Sequence, residues 1–325
     1  MYFENTITPE YEMFNWNVTS NIGRQQNQRW TFIPTEVGIF NIEISVHGKG
    51  NEATFDKKSY EVYVVDNLNI KDELNLLFIG DSTIQQALFT KHLLKLSEEN
   101  NSPLNLLGTV SNSNDGNRHE GRGGWTVSRY LKAEESPFIN NGKLDFANYM
   151  YANEYNHLDY VFIHLGINDI FHTKSDEQAT LKATKFILGL KTISDNIHSV
   201  SSRIKIGIML TIPPSKNQDA FGHNYSTDYV RWRYKRNLMI LTRAIINEFS
   251  GNESNGIYLI PVNLNIDPVF GFPSTSALAN SNSNIIVERQ SNALHPNETG
   301  YKQMADVVWS WLNYQESIKK NFFRN

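Results

Sequence analysis

Apolar and polar positions along the chain fall into two regimes that meet near residue 70. Up to about Asp66 the period is two: Phe40, Ile42, Ile44 and Val46 alternate with polar residues, the pattern of a strand with one buried face. Glu61–Val65 and Gln28–Ile33 read as further strands, punctuated by the turn-rich Pro34–Gly38 and Gly48–Gly50. These predict a small immunoglobulin-like β-sandwich, incomplete or dependent on its neighbour because its strands are few. The polar stretch Asp66–Glu73 reads as a linker, which gives a β accessory domain over 1–66 and a larger domain over 67–325.

From Leu74 the rhythm becomes strand, then helix, repeated. Leu74–Ile79, Leu104–Val110, Leu158–Leu165, Ile204–Ile212 and Ile257–Val262 are largely apolar runs, as expected of parallel strands covered on both faces. Helical stretches lie between them at Ile84–Leu96, Phe146–Glu154, Glu177–Ser199 and Tyr229–Phe249, with a last one over Glu298–Asn313. The alternation predicts an α/β fold, a three-layer doubly wound parallel sheet of flavodoxin-like type, whose ligands bind beyond the carboxyl ends of the strands. Three long polar connections, Ser111–Gly124, Pro213–Asp228 and Asn263–Asn292, are of a length usually functional or disordered.

Composition narrows the chemistry. A chain of 325 residues, 40% hydrophobic, can bury a full core without covalent staples. Its net charge of -4, with Lys and Arg scattered, argues against a nucleic-acid partner. The absence of cysteine removes disulfides, zinc–thiolate sites and thiol nucleophiles together. No His-Glu-x-x-His spacing points to a metal, and no cofactor-binding fingerprint is present. Apolar runs such as Ile206–Ile212 are too short to span a bilayer, and no signal peptide is visible at Met1. The abrupt start of strand-like pattern fits a segment cut from a longer polypeptide.

Candidate chemistry sits at four places, each at a strand's carboxyl end or just before a helix. In Phe78-Ile-Gly-Asp-Ser-Thr83 an apolar strand ends at Gly80, and Ser82 stands where a helix begins. Alone, such a Ser is as readily a helix cap. Glu120-Gly-Arg-Gly-Gly-Trp-Thr126 is a glycine-rich turn in which Gly124 can bring a bare backbone N–H close to a ligand; Glu120 and Arg122 either pair to stiffen it or touch substrate. A strand then runs into Gly166-Ile-Asn-Asp169, and Asn292-Ala-Leu-His-Pro-Asn-Glu-Thr-Gly-Tyr301 places His295 before the final helix. Asp81 and Asp169 read as loop hydrogen-bonding residues and Trp125 as packing.

Four blocks in this order resemble the SGNH (GDSL-like) hydrolases, over roughly residues 74 to 313. The resemblance implies a serine esterase with Ser82 as nucleophile and His295 as general base. It also implies an oxyanion hole made by the backbone N–H groups of Ser82 and Gly124 and the side-chain amide of Asn168. The chemistry agrees, since acyl transfer needs an activated hydroxyl and fixed donors for the developing oxyanion. One position departs: family members usually carry Asp three residues before the His, and this chain has Asn292. Either Asn292 orients the imidazole, or Glu288 or Asp267 from the same loop substitutes, or activity is impaired. The Gly124 and His295 blocks look more like those of carbohydrate esterases than of lipases, and an N-terminal β domain beside them resembles esterase modules of phage tails and bacterial surfaces. The implied substrate is an acetylated polysaccharide or oligosaccharide, and the implied setting an extracellular, cell-surface or virion-associated assembly. The rival expectations are a lipid or thioester hydrolase, and a glycan-binding module with a decayed site.

Overall fold

The computed structural model describes residues 1–6, 14–48, 54–67 and 72–322. Near the N-terminus, β1 (Phe14–Ser20), β2 (Arg24–Gln25), β3 (Trp30–Thr31), β4 (Gly38–Gly48) and β5 (Thr54–Val64) form two small antiparallel sheets, in orders β1-β4-β5 and β2-β3. The expected alternation is there in β4, but β1 is a strand the pattern analysis passes over, and Gln28–Ile33 contributes only the two residues of β3. Among the described residues this region is a three-stranded meander with a two-residue hairpin beside it, rather than two facing sheets.

The first six residues lie against the larger domain. Asn5 Nδ2 donates to Asn263 O and Ile266 O, both at 2.8 Å, and Tyr2 O–H donates to Asp267 Oδ2 at 2.8 Å. Glu4, 4% exposed, meets Arg231, Lys235 at 3.4 Å and Lys216 at 3.0 Å. Phe3 then stacks on Trp16 of β1, with ring centroids 4.7 Å apart. A cavity of about 550 Å³ separates the meander from a helix of the larger domain, with Trp16, Ile44 and Tyr60 on one wall and Met239 and Ile246 on the other.

The α/β domain opens with β6 (Leu74–Gly80), buried at every position. Next come α1 (Ser82–Gln85), α2 (Leu88–Glu99), β7 (Leu104–Leu107), β8 (Val110–Ser111), β9 (Arg118–Gly121) and α3 (Val127–Lys132). The short hairpin β10 (Ile139–Asn140) and β11 (Lys143–Leu144) leads to α4 (Phe146–Ala152), β12 (Tyr160–His164), α5 (Ile167–Ile170) and α6 (Asp176–Val200). The chain continues through β13 (Lys205–Met209), α7 (Gln218–Tyr225), α8 (Arg231–Phe249) and β14 (Ile257–Ile260), then the hairpin β15 (Ser274–Leu278) and β16 (Ile286–Gln290), and ends in α9 (Glu298–Phe322).

The central sheet runs β14-β13-β12-β6-β9-β8. Strand β7 also pairs with β6 along Leu74–Leu77, while β9 takes over at Ile79 and Gly80. All pairings are parallel except β8 with β9, so the sheet is the expected, mainly parallel one. From β6 the chain steps to β7 on one side, and later from β12 through β13 to β14 on the other. Right-handed crossovers therefore put α2 on one face and α6 and α8 on the opposite face. The packing agrees, with α2 against α9 and α6 against α8. The reversal falls between β6 and β12, paired from Leu76 with Tyr160 to Gly80 with His164, and a doubly wound sheet binds ligands at such a switch point.

Candidate active site

The turn out of β6 is tight because it lacks side chains where the backbone folds over. A Cβ on Gly80 would meet Ile84 Cγ1 at 2.2 Å and His164 O at 2.8 Å. Asp81 caps α1, its Oδ1 accepting from Thr83 N at 2.9 Å. Burial pushes the Asp81 carboxyl up to about 6. Ser82 is thus the first helical residue at the switch point, half-buried with its hydroxyl free to face the edge.

From 213 residues further along the chain, His295 places Nε2 2.7 Å from Ser82 Oγ. Its loop is held from several directions. Asn292 Oδ1 accepts from Leu294 N at 3.1 Å and His295 N at 2.9 Å, and Asn224 Oδ1 accepts from Ala293 N at 2.7 Å. Ser215 N donates to Ala293 O at 2.9 Å, and Asn297 Nδ2 donates to Phe270 O and Phe272 O. Burial lowers the His295 pKa from the usual histidine value, which keeps the ring neutral and able to take a proton.

The glycine-rich block approaches from the β9 side. Arg122 N donates to Gly80 O at 2.9 Å, so this loop hangs from the last residue of β6. Gly124 has φ +74°, and a Cβ there would meet open space; backbone conformation, not crowding, calls for glycine. Glu120 is fully buried and saturated: it accepts from Thr109 N at 2.7 Å, Thr109 Oγ1 at 3.1 Å, Tyr149 O–H at 2.8 Å and Arg122 Nη1 at 2.5 Å. Between the two roles open to Glu120 and Arg122, their pairing stiffens the loop. Trp125 is 5% exposed, its ring flanked by Arg122 at 5.2 Å and Arg129 at 4.8 Å.

At the end of β12, Asn168 Nδ2 donates to Trp125 O at 3.0 Å. A carboxamide has two N–H groups, so one fixes the amide beside Gly124 and the second is left for a ligand. Asp169 Oδ1 accepts from Val127 N at 3.3 Å, a second tie between the two blocks, and burial pushes this carboxyl up to about 7. The structure thus gathers Ser82, Gly124, Asn168 and His295 at one sheet edge.

The expected third partner of His295 is a correction. The Asn292 carboxamide oxygen is engaged by two backbone N–H groups rather than by the ring, and closes the turn that carries the histidine. Glu288 lies exposed on β16, bonded to Ser274 Oγ at 2.8 Å and to Ser276 Oγ. Asp267 accepts from Val269 N, Phe270 N and Tyr2 O–H. None of the three carboxyl or carboxamide groups accepts from the imidazole. Sequence reasoning also passed over Asn224, inside a connection read as loop; only its place opposite the His295 turn, a tertiary fact, gives it significance.

A family model described as GDSL-like lipase/acylhydrolase matches residues 76–308. Among curated proteins none matches. Solved structures similar to this chain include a family 3 carbohydrate esterase from Clostridium thermocellum (16% identity, 77% of this chain and 99% of that one, TM-score 0.46). A possible lipase from Chitinophaga pinensis has 12% identity, covers 75% of this chain and 99% of its own, and gives a TM-score of 0.48. A GDSL-like lipase from Bacteroides thetaiotaomicron has 12% identity, 76% and 88% coverage, and a TM-score of 0.40.

Proposed function

Because the chain belongs to the GDSL-like lipase/acylhydrolase family, an ester hydrolase, we propose that Ser82 and His295 carry out acyl transfer and that the ester cleaved is an O-acetyl group on a polysaccharide. The carrying observation is the 2.7 Å contact between Ser82 Oγ and His295 Nε2. In this reading Ser82 Oγ attacks the ester carbonyl while Nε2 takes its proton. The carbonyl oxygen, now negative, accepts from the Ser82 and Gly124 backbone N–H groups and from the second N–H of Asn168. The ring then returns the proton to the departing sugar hydroxyl, leaving an acetyl ester on Ser82. A water molecule repeats the sequence and frees acetate.

The acetyl-polysaccharide assignment draws on the likeness of the Gly124 and His295 blocks to those of carbohydrate esterases. The borders of the site support it: residues 111–116 are exposed and polar, and Asn112 Nδ2 donates to Gln85 O at 2.8 Å, which keeps that loop beside α1. The test is turnover of p-nitrophenyl acetate and acetate release from acetylated oligosaccharides, by the wild type and by Ser82→Ala and His295→Ala. Both variants are expected to lose most activity on both substrates with thermal stability nearly unchanged. Activity that survives Ser82→Ala would remove the nucleophile assignment, and kcat/KM rising with acyl length would move the substrate to lipid esters.

A further inference from the structure

The segment between α7 and α8 is held in an unusual backbone. Ser226 (φ 59°, ψ −108°) and Asp228 (φ 69°) both lie at positive φ, and neither is glycine. Such strain persists only where surrounding contacts enforce it, and it concentrates at ligand clamps. The contacts are present. Gln218 Nε2 donates to Tyr229 O at 3.0 Å while its Oε1 accepts from Arg231 N at 2.7 Å, and Arg233 donates to Asp228 O.

What the segment presents is Tyr229. Its ring lies parallel to that of Phe171, with centroids 4.7 Å apart and planes 11° apart, and Tyr225 stands 4.8 Å from Phe171. The Tyr229 hydroxyl is 3.0 Å from His172 Nδ1. All three rings are half-buried, and His172, Asn224 and Asp228 around them are exposed. Phe171 comes three residues after Asn168, and Asn224 holds Ala293 N, two residues before His295. The patch is therefore joined at one side to the helix that carries Asn168 and tied at the other to the His295 loop.

The deeper rings Phe221 and Tyr234 are buried beneath it. Packing alone does not account for strained backbone holding a half-buried ring among polar groups. A flat aromatic face rimmed by hydrogen-bonding side chains suits a pyranose, whose C–H face is apolar and whose rim carries hydroxyls; an acyl chain calls for an enclosed apolar channel. We infer that Tyr229, backed by Phe171 and Tyr225, is the stacking platform for the sugar ring that bears the ester, an inference that rests on the carbohydrate-esterase reading above.

The experiment compares a panel of acetylated oligosaccharides with p-nitrophenyl acetate as substrates of the full chain. Tyr229→Ala is expected to lower the ratio of kcat/KM for the sugar ester over the aryl ester about tenfold, mainly through KM. Tyr229→Trp, which keeps a flat ring, should restore most of that ratio, and it tests the idea even if the alanine variant folds poorly. An unchanged ratio, or equal losses on both esters that tryptophan does not rescue, overturns the platform. A wild type that cleaves p-nitrophenyl acetate but releases no acetate from any acetylated sugar overturns the carbohydrate reading itself, and the platform falls with it.

Discussion

Asn292 offers the sharpest test of how the base is held. Its side chain accepts two backbone N–H bonds at the His295 turn, at 3.1 and 2.9 Å, rather than a bond from the imidazole. Replacing it by alanine removes two partly buried hydrogen bonds, each with a net value of about 1 kcal/mol. If their whole loss appears as a less populated catalytic pose of His295, about 2 kcal/mol corresponds to roughly a 30-fold fall in kcat/KM. An orienting partner on the ring would behave differently, since losing that interaction in a Ser-His-Asp triad costs about 10⁴. Asn292→Asp should keep both backbone bonds, because a carboxylate accepts them equally well, and its new charge near the ring should raise the apparent pKa of His295. The assay is kcat/KM for p-nitrophenyl acetate across pH 5 to 9 for wild type and both variants, with Tm alongside. A loss near 10⁴ in Asn292→Ala at unchanged Tm would refute the reasoning, for it would mean that Asn292 does act on the imidazole.

Three further outcomes are expected. The acid limb of kcat/KM should fall below the ordinary histidine value of about 6.5, because burial lowers the His295 pKa and the proton-accepting form persists as pH drops; a limb above that value would contradict it. Asn168→Ala should reduce kcat by about 10²–10³ with little change in KM, since a donor to the oxyanion acts in the transition state; a raised KM at constant kcat would make Asn168 a ground-state contact. Glu4→Gln should destabilise the fold by about 3 kcal/mol, read as a lower denaturation midpoint, because it strips Arg231, Lys235 and Lys216 of their shared buried carboxylate; no change in midpoint would mean that the N-terminal segment is not anchored there.

How far the fold was legible depended on whether an element's cause lay within its own stretch of chain. β6 and β12 are largely apolar, buried throughout, and stood out, and with them the strand ends that carry Ser82 and Asn168. β9 reads Arg-His-Glu-Gly, which no periodicity marks as a strand. It is one because Ile79 and Gly80 pair with it and because Thr109 and Tyr149, distant in sequence, satisfy Glu120. The break between α1 and α2 was invisible for the same reason. Ala87 sits at φ 58°, and besides the bonds of α2 its carbonyl accepts from Asn117 Nδ2 at 2.9 Å, a contact from outside the helix. β1 could have been read: Phe14, Trp16 and Val18 alternate with Asn15, Asn17 and Thr19, but the asparagines resemble a turn. At the site, block order was enough to bring Ser82 and His295 together. The spacing of Asn292 from His295 suggested a ring contact, whereas a side-chain rotation toward the backbone turns the same residue into a clasp, and spacing carries no information about that torsion.

The placement of charge explains how asparagine can stand at that position. In the proposed mechanism, Ser82 gives up its proton and a positive imidazole and a negative oxyanion form side by side at a half-buried site. A carboxylate on Nδ1 would favour the positive half; here burial opposes it, and neither Asn292, Glu288 nor Asp267 offsets that. Stabilisation must then fall on the negative half, through fixed N–H donors that cost no reorganisation. The two carboxyls nearest those donors in sequence, Asp81 and Asp169, are pushed up by burial to about 6 and about 7, the Asp81 charge adding to the rise at Asp169, so part of the negative field that would disfavour an oxyanion is already suppressed near neutral pH. Each also has one oxygen tied to backbone N–H, at Thr83 and Val127, so they hold the donor loops while carrying less than full charge. On the proposed mechanism the site would lean on Gly124 and Asn168 more than a triad would, and the restraints on those two blocks, from Arg122, Glu120 and Asp169, are placed where that dependence would be greatest.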